Sequence, residues 1–229
     1  MMNQMQHKTA KIDSWINQSP WIGLARLERE TIESIRKLGN PSWIEIKVML
    51  ADRPAELVEI LTQAIPVRYG LWWGLVCGSM IDDFAEDDQS MACVDACMDW
   101  VFDESEMTRL ACRKVSDPTS WSHAEGLLAR AVSWSSGSIL PDHIPAFVAA
   151  PAGVTGYMIS GSIQTFAARG LKSHEYEKLM MHFIHLGEEV VSGKLLPEGW
   201  ERRTIASGQG GFSGGLEIQS TINSGHFLN

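Results

Sequence analysis

The sequence predicts an all-α protein: a single bundle of about seven or eight helices over residues 21–200. A polar arm (residues 1–20) precedes it and a Gly-rich tail (residues 201–229) follows. Three observations carry this reading. Apolar residues recur at helical spacing through most of the chain, Gly and Pro punctuate the segments, and no run of alternating polar and apolar residues marks a core strand. At 229 residues, 45% of them hydrophobic and 21% charged, the chain is long enough to bury a substantial core.

Residues 1–20 are polar apart from Ile12, Trp15 and Ile16, and read as a loose arm ending at Pro20. From Trp21 to Lys37, Ile22, Ala25, Ile32 and Ile35 form an inner face opposite interleaved Glu and Arg, and Gly39-Asn40-Pro41 closes the helix. Ser42 caps a helix over Trp43–Ala51. Asp52 caps the next, with Pro54 in its first turn and Leu57, Ile60, Leu61 and Ile65 facing inward.

After Pro66 comes the most apolar stretch, Val67–Ile81, whose only charge is Arg68. It is too short for the roughly 20 residues of a membrane span, so it reads as a buried central helix. Gly70, Gly74 and Gly78 recur every four residues and would let a neighbouring helix approach closely. Trp72 and Trp73 point about 100° apart on a helix. One is expected in the core, the other against a second helix, either the acidic one or the region of Trp134.

Asp82–Asp88 is an acidic turn. The helix Gln89–Phe102 then carries an apolar arc and an outward stripe of Asp88, Asp95 and Asp99. Asp103 is expected to cap Glu104–Val115. Asp117 or Thr119 is expected to cap a helix that turns Trp121, Ala124, Leu127, Leu128, Ala131 and Trp134 inward. Ser135–Pro151 reads as an extended crossover, Ala152–Arg169 as a small-residue helix, and Lys172–Ser192 as a final helix ended by Gly193. The stretch 207–215 has five glycines in nine residues and reads as a flexible linker.

Charge narrows the function. Ten acids and no Lys or Arg lie between Asp82 and Glu106, while the rest of the chain holds 18 acids against 19 bases. That excludes a basic nucleic-acid footprint and suits a basic protein partner. The N-terminus has no apolar core of a secretory signal, so the expected compartment is the cytoplasm. The nine tryptophans imply a dense aromatic core or surface anchors for a partner.

No catalytic or metal motif is legible. Cys93 and Cys97 lie in helical, apolar flanks unlike a zinc turn, and with Cys77 and Cys112 read as buried thiols. His182, His185 and Glu189 share a helix face with Lys178 but lack the zinc-protease order. The acidic turn lacks the glycine and spaced oxygens of a calcium loop. No nucleophile elbow, phosphate loop or dinucleotide fingerprint occurs. The expected protein has no metal and no cofactor.

Several segments together resemble a known family: Pro66-Val67-Arg68 leading to Trp72-Trp73, an acidic helix ending Asp99-Trp100-Val101, Trp121, and Val132-Ser133-Trp134-Ser135-Ser136-Gly137-Ser138-Ile139 before the Pro-rich crossover. Over about residues 50–170 the chain is similar to an uncharacterised family of bacterial helical proteins encoded near type VI secretion genes. The resemblance implies a non-enzymatic accessory role, as adaptor or chaperone for a secreted effector or apparatus component. Asp88, Asp95 and Asp99, with Phe212 and Phe227 of the tail, are then the expected partner-binding residues. The alternatives are an immunity protein occluding a toxin with its acidic face, and an enzyme whose site follows none of these motifs.

Overall fold

The structure, a computed structural model, describes residues 2–140, 144–170, 176–195 and 197. Among them are eleven helices: α1 (Met2–Gln18), α2 (Trp21–Leu24), α3 (Arg29–Leu38), α4 (Trp43–Met49), α5 (Pro54–Ala64), α6 (Val67–Gly78), α7 (Asp88–Phe102), α8 (Glu106–Ser116), α9 (Ala124–Ser133), α10 (Val154–Arg169) and α11 (Tyr176–Val191). The sole β feature among the described residues is an isolated bridge between Ser138 and Ala149 in the crossover. The all-α class stands. None of these helices is long and apolar enough to cross a membrane.

The central helix is α6. Every residue from Gly70 to Gly78 is buried, and α7, α9, α10 and α11 all pack on it. The glycine stripe explains how two of those partners come so close. A Cβ on Gly70 would stand 3.3 Å from Ile159 of α10, and one on Gly74 would stand 2.7 Å from Leu128 of α9. At Gly78 it would run into Phe84 and Phe166. Trp73 is fully buried against Gly187 of α11 and donates its indole N–H to the Phe183 carbonyl at 2.6 Å. The Trp72 indole N–H goes to the Leu195 carbonyl, past the end of α11, at 2.9 Å. The polar edges of both indoles therefore lead to α11 and its exit, not to the acidic helix or Trp134.

The N-terminal segment is not a loose arm. It forms α1, which packs on α4, α5 and α11. Ile12 and Ile16, one turn apart, are buried, and Asp13 accepts the Trp43 N–H at 2.6 Å. Two buried isoleucines and an ion–dipole contact hold a helix whose flanks are polar.

The stretch expected as one helix over 21–37 is two. Ala25 turns extended (ψ 137°), and the Arg26 N–H leaves the helical ladder for the Glu59 carboxylate. This split and α1 add two helices to the nine segments read as helical, giving eleven where about seven or eight were expected.

Cap chemistry settles the other boundaries. Ser42 and Glu45 form the reciprocal capping box of α4. Arg53, not Asp52, precedes Pro54 at the start of α5. Ser105, not Asp103, caps α8 through the Thr108 N–H, and His123, not Asp117 or Thr119, caps α9 through the Gly126 N–H. Because α9 starts at Ala124, Trp121 lies outside it and points outward, 60% exposed. Its expected inward orientation is corrected here: periodicity was extended across a turn that breaks it.

Candidate functional site

Leu127 of α9, the tryptophans that flank that helix, the face of α10 from Val154 to Thr165 and the link between α2 and α3 line a groove of about 380 Å3. Arg26, Trp121, Trp134 and Tyr157 line its rim, and the buried Leu127 and Met158 its floor. The walls brace one another. Trp121 meets Trp134 edge to face with ring centres 5.8 Å apart. The Arg130 guanidinium lies 4.3 Å from the centre of the Trp121 ring, and that of Arg26 lies 3.7 Å from the centre of Tyr157. Such pairs hold an aromatic side chain in place while leaving one face to solvent. Arg130 is itself buried and donates to the Ser116 and Thr119 carbonyls, while its Nη1 meets no hydrogen-bond acceptor. Burial lowers its pKa from the usual arginine value.

The acidic residues singled out in the sequence occupy α7. Asp88 and Asp95 are exposed and Asp99 is half-buried. Asp87 caps α7 by accepting the Gln89 and Ser90 N–H groups, and the Ser90 hydroxyl and these amides hold its pKa below the ordinary carboxylate value. Phe212 and Phe227 lie outside the described residues.

A second concavity, of about 460 Å3, gathers others of the family-like segments: Pro66 with Val67 and Arg68 of α6, Trp100 of α7, and Ser135 and Ser136 after α9. Its charges are turned on each other. The buried Arg109 donates twice to Glu106, at 2.7 and 2.6 Å, and once to the Ser133 carbonyl at the end of α9. Arg68 donates to the Val101 carbonyl at 2.8 Å and sits 3.7 Å from Glu104. Gly137, with φ 71°, lets the chain lie on the Arg109 guanidinium; a Cβ there would stand 3.0 Å from Nη2. This cleft is a knot that ties α6, α7, α8 and the exit of α9 together.

One arrangement has the residue types of a hydrolytic triad. Ser90 Oγ is 3.0 Å from His123 Nε2, and His123 Nδ1 is 3.8 Å from Glu125. The proton directions oppose catalysis. His123 Nδ1 accepts the Gly126 N–H, whereas a triad histidine donates from that nitrogen to its acid. The Ser90 hydroxyl donates to Asp87 at 2.6 Å, and Ser90 is buried. The cluster instead joins the caps of α7 and α9. Glu125 is held by Arg169 at 3.0 Å.

All four cysteines are buried and free. Burial raises the Cys77 and Cys97 thiols well above their usual value and Cys93 to about 11. Thiol titration of the native protein should therefore give no fast-reacting group, and all four after denaturation. Rapid native labelling of Cys97 would contradict this packing. His182, its pKa lowered chiefly by burial, and His185 remain on α11. No group of three or more metal-ligating side chains occurs among the described residues.

Fold and surface thus define an all-α bundle with a preformed aromatic groove. The family of unknown function DUF6931 matches residues 47–191, more than half of the chain, and the chain belongs to that family. No curated protein and no solved structure matches it. Three of the four groove-rim residues, Trp121, Trp134 and Tyr157, fall within the matched span. Arg26 comes from outside it. The sequence pointed to this site through the excess of tryptophan and through Trp121 and Trp134 among the family-like segments, not through Arg26 or Tyr157.

Proposed function

We propose that this protein is a non-enzymatic accessory protein, an adaptor or chaperone that holds another protein through the groove at Trp121. One observation carries the reading: Trp121, the most exposed tryptophan among the described residues, is braced by Trp134 and Arg130 beside an open groove. Trp, Tyr and Arg are the residues that contribute most at protein interfaces, above all where they are already ordered. The Ser90 hydroxyl donating to Asp87 and His123 Nδ1 accepting the Gly126 N–H support the non-enzymatic part. The exposed Asp88 and Asp95, with Asp99, offer a second surface of different chemistry, suited to a basic partner. Two unlike contact surfaces on one rigid bundle suit an adaptor. The assignment to a type VI secretion effector or apparatus component rests on the sequence resemblance alone.

The test is affinity capture from the cells that make the protein, with wild type beside Trp121→Ala. Trp121→Ala should reduce recovery of the main partner at least tenfold, while stability falls by about 1–2 kcal/mol from the lost aromatic and cation–π contacts. Recovery of the same partners in the same amounts would overturn the reading. A single toxin as the captured protein would favour the immunity role.

A further inference from the structure

We infer that the groove takes a segment of a partner protein in which carboxylate side chains alternate with aliphatic or aromatic ones; this rests on the protein-binding reading above. The lining chemistry is the argument. The groove is walled by indole and phenol rings, floored by Leu127 and Met158, and contains no Asp or Glu. Its one charged lining residue is Arg26, with Arg130 beneath Trp121. Neither arginine has a carboxylate within ion-pair distance among the described residues, in a protein whose formal net charge is −9.

Stacking explains why the Arg26 charge stays available. A guanidinium lying on a ring uses its face there, and its in-plane N–H groups remain free to grip a carboxylate in bidentate fashion. A carboxylate reaching Arg26 would place the neighbouring side chain over the Tyr157 and Trp134 surfaces. The volume, about 380 Å3, falls at the small end of ligand pockets and suits a few side chains of a segment, not a large cofactor. A basic segment would meet the exposed Arg26 guanidinium, and the one carboxylate at that residue, Glu59, is buried against its backbone N–H. A single-stranded nucleic acid could stack on the same rings, but its phosphates need a continuous basic track, and the groove lining offers one arginine.

Gly161 gives a variant that closes the groove without loosening the fold. It lines the groove inside α10, and a Cβ there meets only Leu127 Cδ1, at an ordinary 3.7 Å. Gly161→Met should fill the groove and stabilise the helix slightly, since glycine is the weaker helix former.

The probes are a twelve-residue peptide of Leu and Phe spaced by Glu, the same peptide with every Glu replaced by Lys, and an oligothymidylate. They are titrated into the isotope-labelled full chain while the indole N–H signals are followed. The acidic peptide should shift Trp121 and Trp134 saturably, with the lysine peptide at least tenfold weaker. Gly161→Met should lose the binding at unchanged or higher Tm, and Arg26→Glu should reverse the order of the two peptides. The inference is overturned if the lysine peptide or the oligonucleotide binds as tightly, if the shifts fall elsewhere, or if no shift occurs up to about 1 mM acidic peptide. Such a result with a partner still lost on Trp121→Ala removes this inference alone; no dependence on Trp121 removes the protein-binding reading itself.

Discussion

Trp73→Ala is expected to destabilise the protein by about 3–5 kcal/mol, the cost of emptying a large aromatic site in a close-packed core. The indole is 0% exposed, fills the space above Gly187 and donates to the Phe183 carbonyl. No neighbour can collapse into the vacancy easily, because α6 is already fixed by α9 and α10 along its glycine stripe. A domain is typically stable by about 5–15 kcal/mol, so the variant should be marginal or unfolded at 37 °C. Urea denaturation measures the loss. A loss under about 1 kcal/mol would mean that Trp73 is not the contact that joins α6 to α11.

The second large effect comes from Glu188. Its carboxylate on α11 accepts from the Trp43 indole at 2.7 Å and from Lys47 at 2.6 Å, both on α4, with His185 Nδ1 at 3.5 Å. Burial alone would raise its pKa. The hydrogen bonds from His185, Lys47 and Trp43 and the Lys47 charge outweigh burial and pull it to about 2, against an ordinary 4.5. A folded-state pKa below the unfolded one contributes stability that is complete above about pH 4.5 and is lost as pH falls toward 2. The shift corresponds to roughly 3 kcal/mol at most. Glu188→Ala should cost about 2–4 kcal/mol at neutral pH, since it strands the buried Trp43 N–H and removes the Lys47 partner. Glu188→Gln keeps an acceptor for Trp43 and abolishes the acid-dependent loss. Stability curves of wild type and Glu188→Gln should therefore converge between pH 4.5 and 2. Parallel curves would contradict the buried ion pair.

Much of the fold could be read from the chain because its signals are local. The central helix shows in the composition of Val67–Gly78, the Ser42 cap in its spacing to Glu45, and the stops in Gly39 and Gly193, both at positive φ. The failures are also physical. In α1, two isoleucines are too few to register against polar flanks, yet burial of both is enough once α4, α5 and α11 are present. Trp121 kept helical phase with Ala124 and Leu128, so periodicity turned it inward. The His123 cap, whose ring nitrogen must reach the Gly126 N–H, starts the helix later and leaves the indole outside.

The groove was the least legible part. Arg26, Trp121, Trp134 and Tyr157 lie on separate segments, brought together by the packing of α9 on α10 and of α2 and α10 on α5. The family-like segments divide between two places: Trp121 and Trp134 belong to the groove, while the others meet in the Arg68–Arg109 cleft. The residues of that cleft serve packing: Gly137 admits the Arg109 guanidinium, and Arg109 holds the last carbonyl of α9, that of Ser133.

Photo-crosslinking in the cells that make the protein tests the central claim most directly. A photoreactive phenylalanine derivative at Tyr157 replaces one exposed aromatic ring by another at the groove rim, and the same residue at Asp95 samples the acidic helix. The account predicts a discrete adduct with one partner protein from position 157, lost when Gly161→Met closes the groove. Adducts from position 95 with none from 157, or a 157 adduct indifferent to Gly161→Met, would contradict it.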